Sequence, residues 1–163
     1  MTSTQAPTAH PAATTLTGST WSRRHQPTGE EDVPILRAAI ADFCLAWGGR
    51  NDRPIDDLAL YVVVLVATEL ISNAIRHAAE AAAGGKPSVA ACIHILEDGR
   101  VLVSVADRSS SEPVPKLADQ DDENGRGLKI IHDITGDNWG WHPLPGGKSI
   151  WAICPSITTS TAA

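Results

Sequence analysis

Ala67-Thr68-Glu69-Leu70-Ile71-Ser72-Asn73-Ala74-Ile75-Arg76-His77-Ala78 seats a carboxylate, an amide and an imidazole at i, i+4 and i+8. The flanking residues 60–66 and 78–83 are nearly all apolar. One continuous helix would therefore carry Glu69, Asn73, Arg76 and His77 as a short polar stripe on an otherwise apolar rod. A carboxylate and an amide in such surroundings are unfavourable to bury unless something engages them. The residue types point to a hard cation and a phosphate. Asparagine offers a neutral oxygen to Mg²⁺, and a glutamate one turn earlier can take a proton from an attacking hydroxyl.

Outward from this stretch, the helix is expected to begin with Asp52 as N-cap and Pro54 in its first turn, and to end near Ala83 before Gly84-Gly85. Ahead of it, residues 31–47 read as a first helix with acidic residues at its start, Pro34 in its first turn and Gly48-Gly49 as its stop. Behind it, residues 88–96 and 100–106 are rich in Val and Ile and are joined by Glu97-Asp98-Gly99, the pattern of an antiparallel hairpin. Residues 107–124 form a polar, acidic loop of the length that is usually functional or mobile. Gly125-Arg126-Gly127 then opens a short helix over 128–134, and residues 138–142 and 148–153 make a second hairpin. Trp139, Trp141 and Trp151 are expected on the outer face of the sheet. The order of elements predicts an α+β fold, a two-layer sandwich with helices on one face of a mixed, mostly antiparallel sheet.

The 163 residues suit one domain with an ordinary core, expected over 29–154. Residues 1–28 contain few large apolar side chains and are expected to be disordered, and 155–163 to fray. A formal charge of −6 excludes a phosphate-tracking surface, so no direct nucleic-acid partner is expected. Cys44, Cys92 and Cys154 are odd in number and set among apolar neighbours, which reads as reduced thiols. The first twenty residues lack the basic start and apolar segment of a signal peptide, and the apolar run 58–66 is too short to cross a bilayer. A cytoplasmic protein with no membrane partner is expected.

Three further features fall where a nucleotide would need them. Asp107 ends a strand, with a carboxylate able to accept from an exocyclic amine. Gly125-Arg126-Gly127 presents backbone N–H groups at a helix start, which attract phosphate. Gly146-Gly147-Lys148-Ser149 enters the last strand with a hydroxyl that can reach a base through water. Singly each feature is ordinary; their order along the chain is what carries weight.

In that order the sequence resembles the GHKL ATPases of the Bergerat fold, and among them the small bacterial anti-sigma-factor serine kinases. The resemblance spans roughly residues 30–154. It implies Glu69 as general base, Asn73 as the Mg²⁺ ligand, His77 on the phosphate side of the pocket and Asp107 on adenine. It likewise implies Gly125, Arg126, Gly127 and Leu128 as the turn that meets the phosphates, and Ser149, beside Lys148, as the small hydroxyl residue near the base. ATP and Mg²⁺ are the implied cofactors. A sigma factor and an anti-sigma-factor antagonist are the implied protein partners, and a homodimer the implied assembly. The implied activity is a serine/threonine kinase that phosphorylates the antagonist and sequesters the sigma factor. A non-catalytic partner-switching module and a slow ATPase are the alternatives. One departure stands out: many relatives read D-x-G-x-G after the adenine strand, and this chain reads Asp107-Arg108-Ser109-Ser110-Ser111, without glycine's conformational freedom.

Overall fold

The computed structural model describes residues 18–25, 29–81, 88–109, 113 and 123–159. Strand β1 (Gly18–His25) is followed by a 3-10 turn (Glu30–Asp32), helices α1 (Val33–Arg50) and α2 (Asp57–Ala81), strands β2 (Val89–Leu96) and β3 (Val101–Asp107), helix α3 (Glu123–Thr135), and strands β4 (Trp139–Leu144) and β5 (Gly147–Cys154). The sheet runs β1-β2-β3-β5-β4, and every neighbouring pair is antiparallel. α2 lies across β3, β5 and β2, α3 covers β5 and β4, and α1 packs on α2. This is the expected α+β sandwich, with the sheet fully antiparallel.

Strand alternation decides which side chains meet the helices. Val89, Ala91, Ile93 and Ile95 of β2, Val101, Val103 and Val105 of β3, and Ile150, Ala152 and Cys154 of β5 share one apolar cluster with α1, α2 and α3. By length and composition α2 would also suit a bilayer. Its residues Val63, Val66, Ala67, Leu70, Ile71 and Ala74 are instead buried in that cluster, as in the core helix of a domain.

The helix boundaries show where local chemistry overrode the expected signals. Asp56, not Asp52, caps α2, its Oδ1 accepting from the Ala59 N–H at 2.8 Å. Asp52 adopts φ 51° in the connection instead. Gly48 and Gly49 lie inside α1, which ends where the Asn51 side chain donates to the Trp47 carbonyl at 2.8 Å. Gly48 is needed there for close packing, since a Cβ on it would meet Ile55 Cγ1 at 2.6 Å.

Both expected tails are corrected in part. Residues 18–25, expected to be disordered, form β1 on the sheet edge, with Trp21 opposite Ile93 and packed against the core. Its sequence has little apolar alternation because an edge strand is held largely by main-chain pairing. Residues 1–17 and 26–28 lie outside the described residues. At the other end Ile157 is fully buried, its N–H donates to the Gly99 carbonyl at 3.0 Å, and its carbonyl accepts from Asp56 N–H at 2.9 Å. An apolar anchor thus ties down the tail through residue 159; residues 160–163 lie outside the described residues, as does most of the 107–124 loop.

The tryptophans divide. Trp139 and Trp141 turn into the core, and the Trp139 indole N–H donates to His132 Nδ1 of α3 at 3.3 Å. Only Trp151, one step out of phase on β5 and opposite Gly140, takes the other face.

Candidate functional site

Glu69, Asn73 and His77 recur at four-residue steps on α2 and so share one face of it. Asn73 is buried, and its Nδ2 has no hydrogen-bond partner among the described residues. A buried N–H donor group without a partner is rare in a folded chain. A half-turn about its Cβ–Cγ bond puts the neutral oxygen in the same place, the donor type a hard cation prefers. Arg76 leaves the stripe sideways and pairs with Glu30 of the 3-10 turn at 3.6 Å. His77 is half-buried one turn beyond Asn73.

Glu69 is half-buried and faces α3. A Cβ built on Gly127 would stand 2.8 Å from Glu69 Oε2, so the missing side chain is what allows the helix backbone to approach the carboxylate. The expected glycine turn ahead of a 128–134 helix is corrected: α3 begins at Glu123, and Gly125, Arg126 and Gly127 belong to its first turns. Acidic residues preceding the glycines favour the positive helix start and carry it back past them. The first four N–H groups of α3, residues 123–126, lack intrahelical acceptors and suit an anion. Arg126 is exposed, whereas the Leu128 side chain is buried in the core.

Asp107 closes β3 on the face that Val101, Val103 and Val105 turn toward the helices. Its Oδ1 accepts from the Ser109 N–H at 2.7 Å, a turn that steadies the chain as it leaves the strand. The same oxygen accepts from Lys148 Nζ at 3.1 Å, and both side chains of this ion pair are 2 % exposed. The pairing follows from register, because Asp107 stands directly opposite Lys148 across β3 and β5. Gly147 lets the two strands close at this point: a Cβ there would strike the Asp107 carbonyl oxygen at 2.0 Å.

Register places Ser149 differently from the expectation. It pairs with Ala106 and with His142, one step out of phase with Lys148, and so lies on the opposite face of β5 from Asp107. Burial holds the neighbouring His142 imidazole below its usual range. The residue beside Asp107 is therefore Lys148, whose contact sequence reasoning missed. The apolar partners Ile150, Ala152 and Cys154 at the same parity are the signal that could have found it, but Trp151 and Ile153 make the alternate parity equally apolar. A small cavity lined by Arg100, Thr135, Asn138 and Cys154 lies at the far end of β3 and contains none of these groups.

A helix-borne glutamate and asparagine, a helix that brings a glycine of its first turns against the glutamate, and a buried aspartate ending a central antiparallel strand define the class: an ATP-binding domain of the GHKL type. Over residues 29–153 the sequence matches the family described as histidine kinase-like ATPase domain, and the chain belongs to it. No curated protein matches the chain.

Proposed function

We propose that this chain is a cytoplasmic, Mg²⁺-dependent protein serine/threonine kinase that phosphorylates an anti-sigma-factor antagonist and, as a homodimer, sequesters a sigma factor. The observation that carries the catalytic part is the Glu69 carboxylate set against Gly127, with Asn73, whose Nδ2 has no partner among the described residues, one turn along the same helix face. Asn73 would hold Mg²⁺, which supplies charge neutralisation to the phosphates when bound. Glu69 accepts the proton of the attacking serine hydroxyl, and the α3 N-terminus offers N–H groups to the phosphoryl oxygens. Most of the work is positioning. Reduced thiols at Cys44, Cys92 and Cys154 support the cytoplasmic placement.

The test is transfer of labelled phosphate from Mg-ATP to a serine-bearing antagonist protein by wild type and Glu69→Ala, beside calorimetric titration of both with ATP. Loss of a general base lowers transfer by about 10²- to 10⁴-fold while ATP affinity changes little. Transfer at the wild-type rate by Glu69→Ala removes Glu69 from the mechanism. Complex formation without transfer by the wild type favours the partner-switching module, to which the glycine-free Asp107-Arg108-Ser109 segment lends support.

A further inference from the structure

Lys148 is among the largest fully buried side chains of the described residues, yet the proposed chemistry makes no use of it. A buried ammonium needs compensation for its lost hydration, and a single ion pair seldom provides all of it. The ammonium has three N–H donors, and Asp107 Oδ1 is its one partner among the described residues. The carboxylate is equally lopsided, since the Ser109 N–H and Lys148 both bond Oδ1 and neither bonds Oδ2. The pair thus keeps spare donors on Nζ and a spare acceptor on Oδ2, with Nζ held 3.1 Å from Oδ1 of the same carboxylate. The strand register fixes their order, and Gly147 holds the two backbones together at that point.

We infer that Lys148 is a base-recognition residue, whose ammonium donates to the N1 ring nitrogen of adenine while Asp107 Oδ2 accepts from the neighbouring 6-amino group. Adenine's pairing edge presents a donor amine beside an acceptor nitrogen, the complement of this carboxylate and ammonium. Guanine presents an acceptor oxygen beside a donor N–H, the reverse order, and does not match a pair whose order the sheet has fixed. The inference rests on the nucleotide-binding reading of the same site, and it names a residue on the base that the resemblance had left to a hydroxyl.

Affinities for ATP, 1-deaza-ATP, which lacks the N1 acceptor, and purine riboside triphosphate, which lacks the amine, are measured by calorimetry on the full chain and on Lys148→Met. A charge-assisted hydrogen bond predicts that wild type binds 1-deaza-ATP roughly 10- to 100-fold more weakly than ATP. Lys148→Met, verified as folded by circular dichroism, should bind ATP and 1-deaza-ATP alike and still discriminate against purine riboside triphosphate through Asp107. A purely structural lysine would weaken all three nucleotides together and leave their ratios intact, which overturns the inference. Equal affinity of wild type for ATP and 1-deaza-ATP overturns it without any variant. Failure of wild type to bind any nucleotide overturns the nucleotide reading itself and this inference with it.

Discussion

The two ends of β3 both turn buried side chains inward and are oppositely built. At the Val101 end, Cys154 pairs across from β5, Ile157 of the tail is fully buried, and the Arg53 guanidinium reaches the Glu97 carbonyl at 2.8 Å to close the hairpin turn. At the Asp107 end, with similar exclusion of water, the inward positions hold a carboxylate and an ammonium. A buried ion pair is weak support for a fold, because well-packed apolar residues often stabilise as well or better. The apolar end contributes to stability; for the charged end, binding is the role proposed above. Both lie on one strand, so the contrast is set by side chains and not by backbone.

The largest break in the comparison is made at the charged end. Lys148→Met leaves Asp107 without its ion-pair partner and should cost about 3–5 kcal/mol in urea unfolding, whereas the double replacement Asp107→Leu with Lys148→Met should recover most of that loss. A double variant as unstable as the single one would mean that shape, and not charge, governs this end. The apolar end should break differently. Ile157→Ala removes a fully buried anchor and should cost about 2–4 kcal/mol, with ATP affinity in the folded protein unchanged. A large fall in affinity at saturating stability would show the two ends to be coupled through β3.

Much of this contrast was legible in the sequence. The polar stripe on α2 needed only helical periodicity, and the two hairpins announced themselves through Val, Ile and glycine turns. Long-range register was not legible. Nothing local in Lys148-Ser149-Ile150-Trp151 says which alternate face meets Asp107, because both faces of β5 carry large apolar residues, and the choice is made by the pairing of β3 with β5. β1 escaped notice for a related reason: Trp21 is its only large apolar side chain, and its place is fixed by backbone pairing with β2. Gly48 reads as a helix stop and Gly127 as part of a turn opening a helix, but both serve as contact points inside helices, a role visible only once Ile55 and Glu69 are seen against them.

The smallest effect sharpens the comparison through pH. Burial pushes the Cys44 thiol up to about 12, and burial together with the nearby Cys44 pushes Cys154 up to about 12 as well. In the unfolded chain a thiol titrates near 8.5, at roughly neutral cost to either state below that pH. As pH rises from about 8.5 toward 12, the unfolded chain gives up protons that the buried thiols of the native apolar end retain, so stability falls by about 1 kcal/mol per thiol for each pH unit. Urea unfolding under reducing conditions at pH 8, 9 and 10 should show this decline in wild type and a shallower one in Cys44→Ala, which removes one thiol and the influence it exerts on the other. Equal slopes in the two proteins would mean that water reaches the thiols. The apolar closure by Ile157 and the hairpin turn would then be looser than the charged end, reversing the assignment of stability to one end of β3 and binding to the other.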